Sequence, residues 1–209
     1  MNSIKSTVKF DYMIKLILLG KDSIGKTQFF ERIKLFEDYK SFKKKSNNYL
    51  TTVGIDFCIF KIKFNNKVFN LQIWDTAGLE RYSSLTKSFY IKANSILLFY
   101  DPLDKESFKK AKNLYEGALK VNDKAIYFLI RSKYDLSSNS KKNELISDEE
   151  ALEFADKNNL FFFHISSFEK NENGFNEILE ILLREYLRNV NNWIDSIIFI
   201  IKNINKIII

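Results

Sequence analysis

Apolar positions along the chain follow two different periods, and the switching between them outlines its elements. Residues 14–19 form a short apolar run that stops at Gly20. Over residues 27–37 the spacing turns helical, with Phe29, Phe30, Ile33 and then Leu35 or Phe36 on one side. A polar, basic stretch comes next over 38–48. Residues 57–64 and 68–73 alternate apolar and polar, with Asn65-Asn66 between them, which predicts a β-hairpin. Apolar strands are predicted over 96–100, 125–130 and 160–165, and helices over 105–119, 147–158 and 175–189. Ser147-Asp148-Glu149-Glu150 has the form of a capping box at a helix start. A polar loop over 137–145 separates two of these elements, and no internal repeat is present. Strands that alternate with helices predict an α/β fold. The expected sheet is doubly wound and mostly parallel, with about six strands, one of them antiparallel, flanked by helices.

Chemistry enters at the first strand-to-helix junction. Gly20-Lys21-Asp22-Ser23-Ile24-Gly25-Lys26-Thr27 fits G-x-x-x-x-G-K-[ST] between a predicted strand and a predicted helix, the context the motif needs. Glycines let the backbone curl so that several N–H groups face one point, and a helix N-terminus adds partial positive charge. Lys26 can reach the β- and γ-phosphates of a nucleotide, and the Thr27 hydroxyl can bind Mg²⁺. This predicts a P-loop NTPase fold. The expected phosphate-side contacts are Lys21, Asp22, Ser23, Ile24, Gly25, Lys26, Thr27 and Gln28.

A second motif narrows the class. Trp74-Asp75-Thr76-Ala77-Gly78-Leu79-Glu80-Arg81 resembles the WDTAGQE signature of the Ras-like small GTPases. Thr51-Thr52-Val53-Gly54-Ile55-Asp56-Phe57 is similar to the TIGVDF segment of their Rab branch, and residues 80–93 look like a Rab switch II. The likeness extends over about residues 8–189 and implies a GTP- and GDP-binding switch of membrane traffic. It implies Mg²⁺ held by Thr27, Thr52 and Asp75, with Thr52 and the Gly78 N–H sensing the γ-phosphate. Val53, Gly54, Ile55, Asp56 and Phe57, with Trp74 and Phe89, fall where Rabs present an effector surface. Partners implied are Rab-type effectors, an exchange factor and an activating protein.

Base recognition departs from the family's NKxD pattern. Here it reads Ser132-Lys133-Tyr134-Asp135. The Asp135 carboxylate can accept from guanine N1–H and N2–H₂, which adenine does not offer, so a buried Asp135 would reject adenine. Lys133 can lay its stem over the base. Ser132 is shorter than the usual asparagine. The SAK segment appears as Ser166-Ser167-Phe168, where the Ser167 N–H can still meet guanine O6. Losing one or two hydrogen bonds lowers affinity by about one to two decades. Tyr39 and Phe42 are both candidates to cover the base, Tyr39 the preferred one.

Turnover is where the resemblance weakens most. Lys26 and Thr52 remain in the catalytic set, but Leu79 stands where the family uses a glutamine to orient water, and Leu79 can neither donate nor accept. Asp22, third in the phosphate loop, adds a negative charge near the phosphates. Slow intrinsic hydrolysis of GTP is expected, with a non-cycling GTP-binding module as the alternative. A different P-loop enzyme, such as a kinase, does not account for Asp75 to Gly78 together with Asp135. The segment from Thr27 to Thr52 is also longer than is usual in the family and includes Lys43-Lys44-Lys45.

Bulk properties add bounds. A length of 209 residues with 45% hydrophobic content suits one domain and a tail, divided here as 1–191 and 192–209. Net charge is +7, which suits a solvated lysine surface or an anionic membrane. No nucleic-acid motif accompanies it. Cys58 is the only cysteine, so no internal disulfide is possible, and a cytoplasmic protein is expected. No secretory signal is expected from residues 1–11. The tail reads as apolar and without a prenylation cysteine. Its longest unbroken apolar run is five residues, against about 20 for a membrane span. An interfacial helix or docking on a protein surface fits it better. A monomer is expected.

Overall fold

The computed structural model describes residues 10–39, 56–76, 88–133, 145–165 and 173–207. The chain divides into two units, residues 1–171 and 172–209.

The first unit is built on a six-stranded sheet: β1 (Tyr12–Gly20), β2 (Asp56–Phe64), β3 (Lys67–Asp75), β4 (Ser95–Tyr100), β5 (Ile126–Arg131) and β6 (Phe161–His164). Their order is β2-β3-β1-β4-β5-β6. Only β2 pairs antiparallel, with β3; every other pairing is parallel. The β2–β3 turn is explained by its residues. Asn65 and Asn66 both take positive φ, 47° and 60°, which the two-residue hairpin turn demands and asparagine tolerates. All six residues of β4 and of β5 are buried, as expected of central parallel strands covered on both faces.

Among the described residues three helices belong to this unit: α1 (Lys26–Tyr39), α2 (Lys105–Leu119) and α3 (Asp148–Lys157). Consecutive strand residues point to opposite faces. Phe99 meets Phe29 of α1 with ring centroids 5.3 Å apart, and Tyr100 meets Phe108 of α2 at 4.9 Å. The two helices therefore cover opposite faces of β4. Asp104 caps α2 by accepting from the N–H groups of Glu106 and Ser107. Phe108, Ala111, Tyr115 and Ala118 then form its buried stripe. Ser147 caps α3, accepting from Glu150 N–H, and the small Ala151 and Ala155 let that helix lie close. On that side Ile17, Leu19, Ile96, Leu98 and Leu129 complete a continuous core with both helices.

The second unit is one helix, α4 (Asn173–Ile207), of 35 residues. It extends well past the predicted end at residue 189. Nothing over 175–207 is glycine or proline. Asparagines at 189, 191 and 192 cost under about 1 kcal/mol each, too little to stop a propagating helix. Its buried residues, Phe175, Ile178, Leu179, Leu182 and Leu183, keep helical spacing. Among the described residues no helix is long and apolar enough to cross a membrane.

Candidate nucleotide-binding site

In this topology the chain leaving β1 runs to the β2–β3 side of the sheet and the chain leaving the adjacent β4 runs to the β5 side, so the connections at the two carboxyl ends diverge. Crevices at such switch points are where open α/β sheets hold ligands. The phosphate-loop sequence lies there. Gly20 ends β1 with φ of 151°, and a Cβ added to it would come within 2.6 Å of the Phe99 carbonyl oxygen. Only glycine fits this close approach of β1 to β4. Gly25 has φ of 102°, and Ser23 takes φ of 59° despite its side chain. The loop thereby turns into α1, whose first hydrogen bonds include Phe29 N–H to Gly25 O at 3.0 Å.

Lys26 is buried under the loop. Its Nζ donates to the carbonyl oxygens of Gly20 and Lys21 at 2.7 and 2.8 Å. Next to it, Thr27 Oγ1 donates to Asp75 Oδ2 at 2.6 Å. Asp75 is fully buried at the end of β3. Hydroxyl and carboxylate, 48 residues apart in sequence, thus converge at the start of α1, one residue on from Lys26. A hard cation takes oxygen donors of this kind, and Mg²⁺ commonly uses one or two protein oxygens while retaining water and phosphate ligands. Thr27 and Asp75 fit such an ion. Thr76 is also placed firmly, its hydroxyl donating to Leu18 O at 2.7 Å, so the root of the Asp75-Thr76-Ala77-Gly78 segment is tied to β1. Asp22, Ser23 and Gln28 are exposed at the surface, and Ile24 is buried.

At the neighbouring strand ends the segment expected to read the base begins. Ser132 is buried, and both its N–H and its Oγ bond to Tyr100 O at 2.8 Å. Lys133 has a left-handed φ of 57°, and its Nζ lies 2.7 Å from Asp101 Oδ2. Asp101 is itself buried, accepting from Leu103 N–H.

The expected effector aromatics are brought together. Phe57 and Trp74 are paired across β2 and β3, ring centroids 4.5 Å apart, and Trp74 meets Phe89 edge-on at 5.4 Å. Lys15 lies over both Trp74 and Phe89 at 5.0 Å and donates to Phe89 O. Burial, helped by the charge of Lys92, lowers the Lys15 pKa.

Thr52, Val53, Gly54, Ile55, Gly78, Leu79, Asp135, Ser166, Ser167 and Phe168 lie outside the described residues, as do Phe42 and the side chain of Tyr39. The backbone of Tyr39 ends α1. Sequence reasoning missed several ionic ties at this edge of the sheet. Lys21 Nζ sits 2.6 Å from Asp104 Oδ2, joining the phosphate loop to the cap of α2. This pairing raises the Lys21 pKa and lowers that of Asp104. Arg131, Asp148 and His164 form a second tie. In sequence the only hint is a charge placed just where an apolar strand ends.

A glycine-bounded loop, a buried lysine and a converged threonine and aspartate at a switch point define a P-loop NTPase fold. Comparison with known proteins gives the family. The Ras family model matches residues 15–188. The GTP-binding protein YPT1 of Saccharomyces cerevisiae is 34% identical over 162 residues, covering 77% of this chain and 73% of the relative. Ras-related protein SEC4 of Candida albicans is 33% identical over 186 residues, covering 87% and 83%. Ras-related protein Rab-13 of Canis lupus familiaris is 33% identical over 180 residues, covering 85% and 82%. The chain belongs to the Ras superfamily of small GTPases, as a Rab-like member.

Proposed function

We propose that this protein is a Rab-like switch of intracellular membrane traffic that binds GTP and GDP with Mg²⁺ and hydrolyses GTP slowly. The observation that carries the binding is the convergence of Thr27 and Asp75 at 2.6 Å at the end of the phosphate loop. In this reading the loop N–H groups and Lys26 bind the phosphates, while Thr27 and Asp75, with Thr52, hold the metal ion. The ion, when bound, neutralises phosphate charge. Lys133, its ammonium tethered to Asp101, leaves its stem to cover the base, and Asp135 reads guanine. Ser166, Ser167 and Phe168 line the other base edge.

Leu79 carries the claim about rate. A leucine side chain has no group to hold the attacking water in line, and Asp22 opposes negative charge in the same loop. An activating protein that supplies its own water-orienting group would restore turnover. Phe57, Trp74 and Phe89, with residues 53–56, would present the nucleotide state to effectors.

Single-turnover hydrolysis of bound GTP tests the rate. The wild type should be slow, and Leu79→Gln with Asp22→Gly should be faster by at least tenfold. Wild-type turnover at the rate of ordinary family members would remove the claim of impaired hydrolysis. No gain in the double variant would favour a GTP-binding module that does not cycle.

A second reading concerns placement. Trp193 is 69% exposed on α4, and the sequence beyond it is rich in isoleucine with Lys202 and Lys206. We read this part as a peripheral contact with an endomembrane for a cytoplasmic, monomeric protein. Co-flotation with anionic liposomes that persists without residues 193–209 would rule it out.

A further inference from the structure

Arg131 is the last residue of β5, and its side chain is 3% exposed. A guanidinium buried to that degree needs an anion. Asp148, the first residue of α3, supplies one: its Oδ1 meets Arg131 Nη1. That same Oδ1 lies 3.3 Å from Nε2 of His164, the last residue of β6. Arg131 and His164 are register partners across the β5–β6 pairing, and Ile165 N–H donates to Arg131 O at 2.8 Å just beyond it. One carboxylate, delivered by a helix start, thus touches the carboxyl ends of two adjacent strands.

The segments that continue from those two strand ends give the cluster its meaning. Ser132, Lys133, Tyr134 and Asp135 come directly after Arg131. Ser166 and Ser167 come two and three residues after His164. These are the two segments assigned to opposite edges of guanine, Asp135 to N1–H and N2–H₂ and the Ser167 N–H to O6. The bond from Ile165 to Arg131 pairs their roots. Ser132 reaches back to β4, through Tyr100 O, so it ties the first segment to the rest of the sheet and not to the second.

We propose that Arg131, Asp148 and His164 are positioning residues that set the distance between the two base-reading segments, with Asp148 as the shared anion. None of the three is assigned a contact with the nucleotide. They act through Asp135 and Ser167, and the proposal rests on the reading of those two residues as base contacts. A single strand pairing joins the roots of the segments at Arg131 and Ile165. The tie through Asp148 braces the same two strand ends a second time, so that both edges of the base are met at once.

Dissociation of fluorescent GDP and the affinity ratio of GDP to IDP, which lacks the 2-amino group, test this in the full chain. Asp148→Asn leaves the Arg131 charge buried and can impair folding. The informative variant is therefore Arg131→Met with Asp148→Leu, which removes both charges together and keeps apolar bulk in their place. With melting close to wild type, it should release GDP about tenfold faster, and the GDP-to-IDP ratio should fall several-fold toward one. His164→Gln should move both readings in the same direction by less, and Asp148→Glu should recover part of the ratio that Asp148→Asn loses. A purely structural cluster would leave the ratio unchanged. Unchanged release and ratio in the double variant, with a wild type that prefers GDP, would overturn the positioning role alone. A wild type that binds no guanine nucleotide would overturn the proposed function with it.

Discussion

Replacing Gly20 by alanine perturbs the hinge on which the candidate site depends. The added Cβ would lie 2.6 Å from Phe99 O and 3.1 Å from Phe99 Cβ. Ordinary contact begins at 3.4 Å, and the nearest atom is backbone in a fully buried strand. It cannot rotate away as a side-chain tip could, so β1 and β4 must part or the loop must turn differently. The φ of 151° adds strain that an L side chain rarely accepts. Backbone strain of this kind costs about 1–3 kcal/mol, and forcing an extra carbon into a packed site about as much again. Gly20→Ala should therefore destabilise by about 2–6 kcal/mol and weaken nucleotide binding, since the displaced loop holds Lys26 through Gly20 O and Lys21 O. Gly117→Ala is the matched control: nothing lies within 4 Å of its added Cβ, on an exposed turn of α2. It should stabilise by about 0.5–1 kcal/mol through helix propensity. Urea unfolding of both variants at one fixed nucleotide load is the assay. A Gly20→Ala midpoint equal to wild type would refute the packing argument for β1 against β4.

The same geometry sets three further outcomes. Ser23→Gly releases a side chain from a left-handed φ of 59° and should raise stability by about 1 kcal/mol in the same unfolding assay. Lys26→Met should lower GDP affinity by one to two decades in a fluorescence titration, because a charge-assisted bond is worth about 1.5–3 kcal/mol. Asp104→Asn keeps an acceptor for the cap of α2 but removes the charge facing Lys21. The carboxyl is held below its ordinary pKa by Lys21, so its stabilising share is present above the ordinary carboxylate range and lost as pH falls through the lowered value. The gap between wild type and Asp104→Asn in urea midpoint should be present at neutral pH and close as acidification carries the wild-type carboxyl through its lowered value to full protonation. A gap that persists there would show that the charge is not its source.

Much of the fold can be read directly from the chain, because local patterns decide it. The helix predicted over 105–119 is α2 at the same bounds, since Phe108, Ala111, Tyr115 and Ala118 keep one period throughout. The Asn65-Asn66 turn is equally readable, two asparagines in the place where positive φ is needed twice. The phosphate loop is readable because its chemistry is contiguous. The ties that hold the site are not. Lys21 and Asp104 are 83 residues apart, and nothing local says that β1 and β4 will be neighbours. Arg131 and His164 meet only because β5 and β6 pair in register. The length of α4 is hidden for the opposite reason. Asparagine- and isoleucine-rich sequence past residue 189 has the look of a tail, while helix continuity needs only the absence of a strong breaker.

Chromatography of the nucleotide released from the purified, denatured protein asks most directly whether a guanine nucleotide fills the crevice at the end of β1. Stoichiometric guanine nucleotide is expected, with GTP a substantial share under the proposed slowing of its hydrolysis by Leu79. Adenine nucleotide in its place, or protein that takes up neither GDP nor GTP when loaded with Mg²⁺, would contradict the assignment of this crevice to a guanine nucleotide.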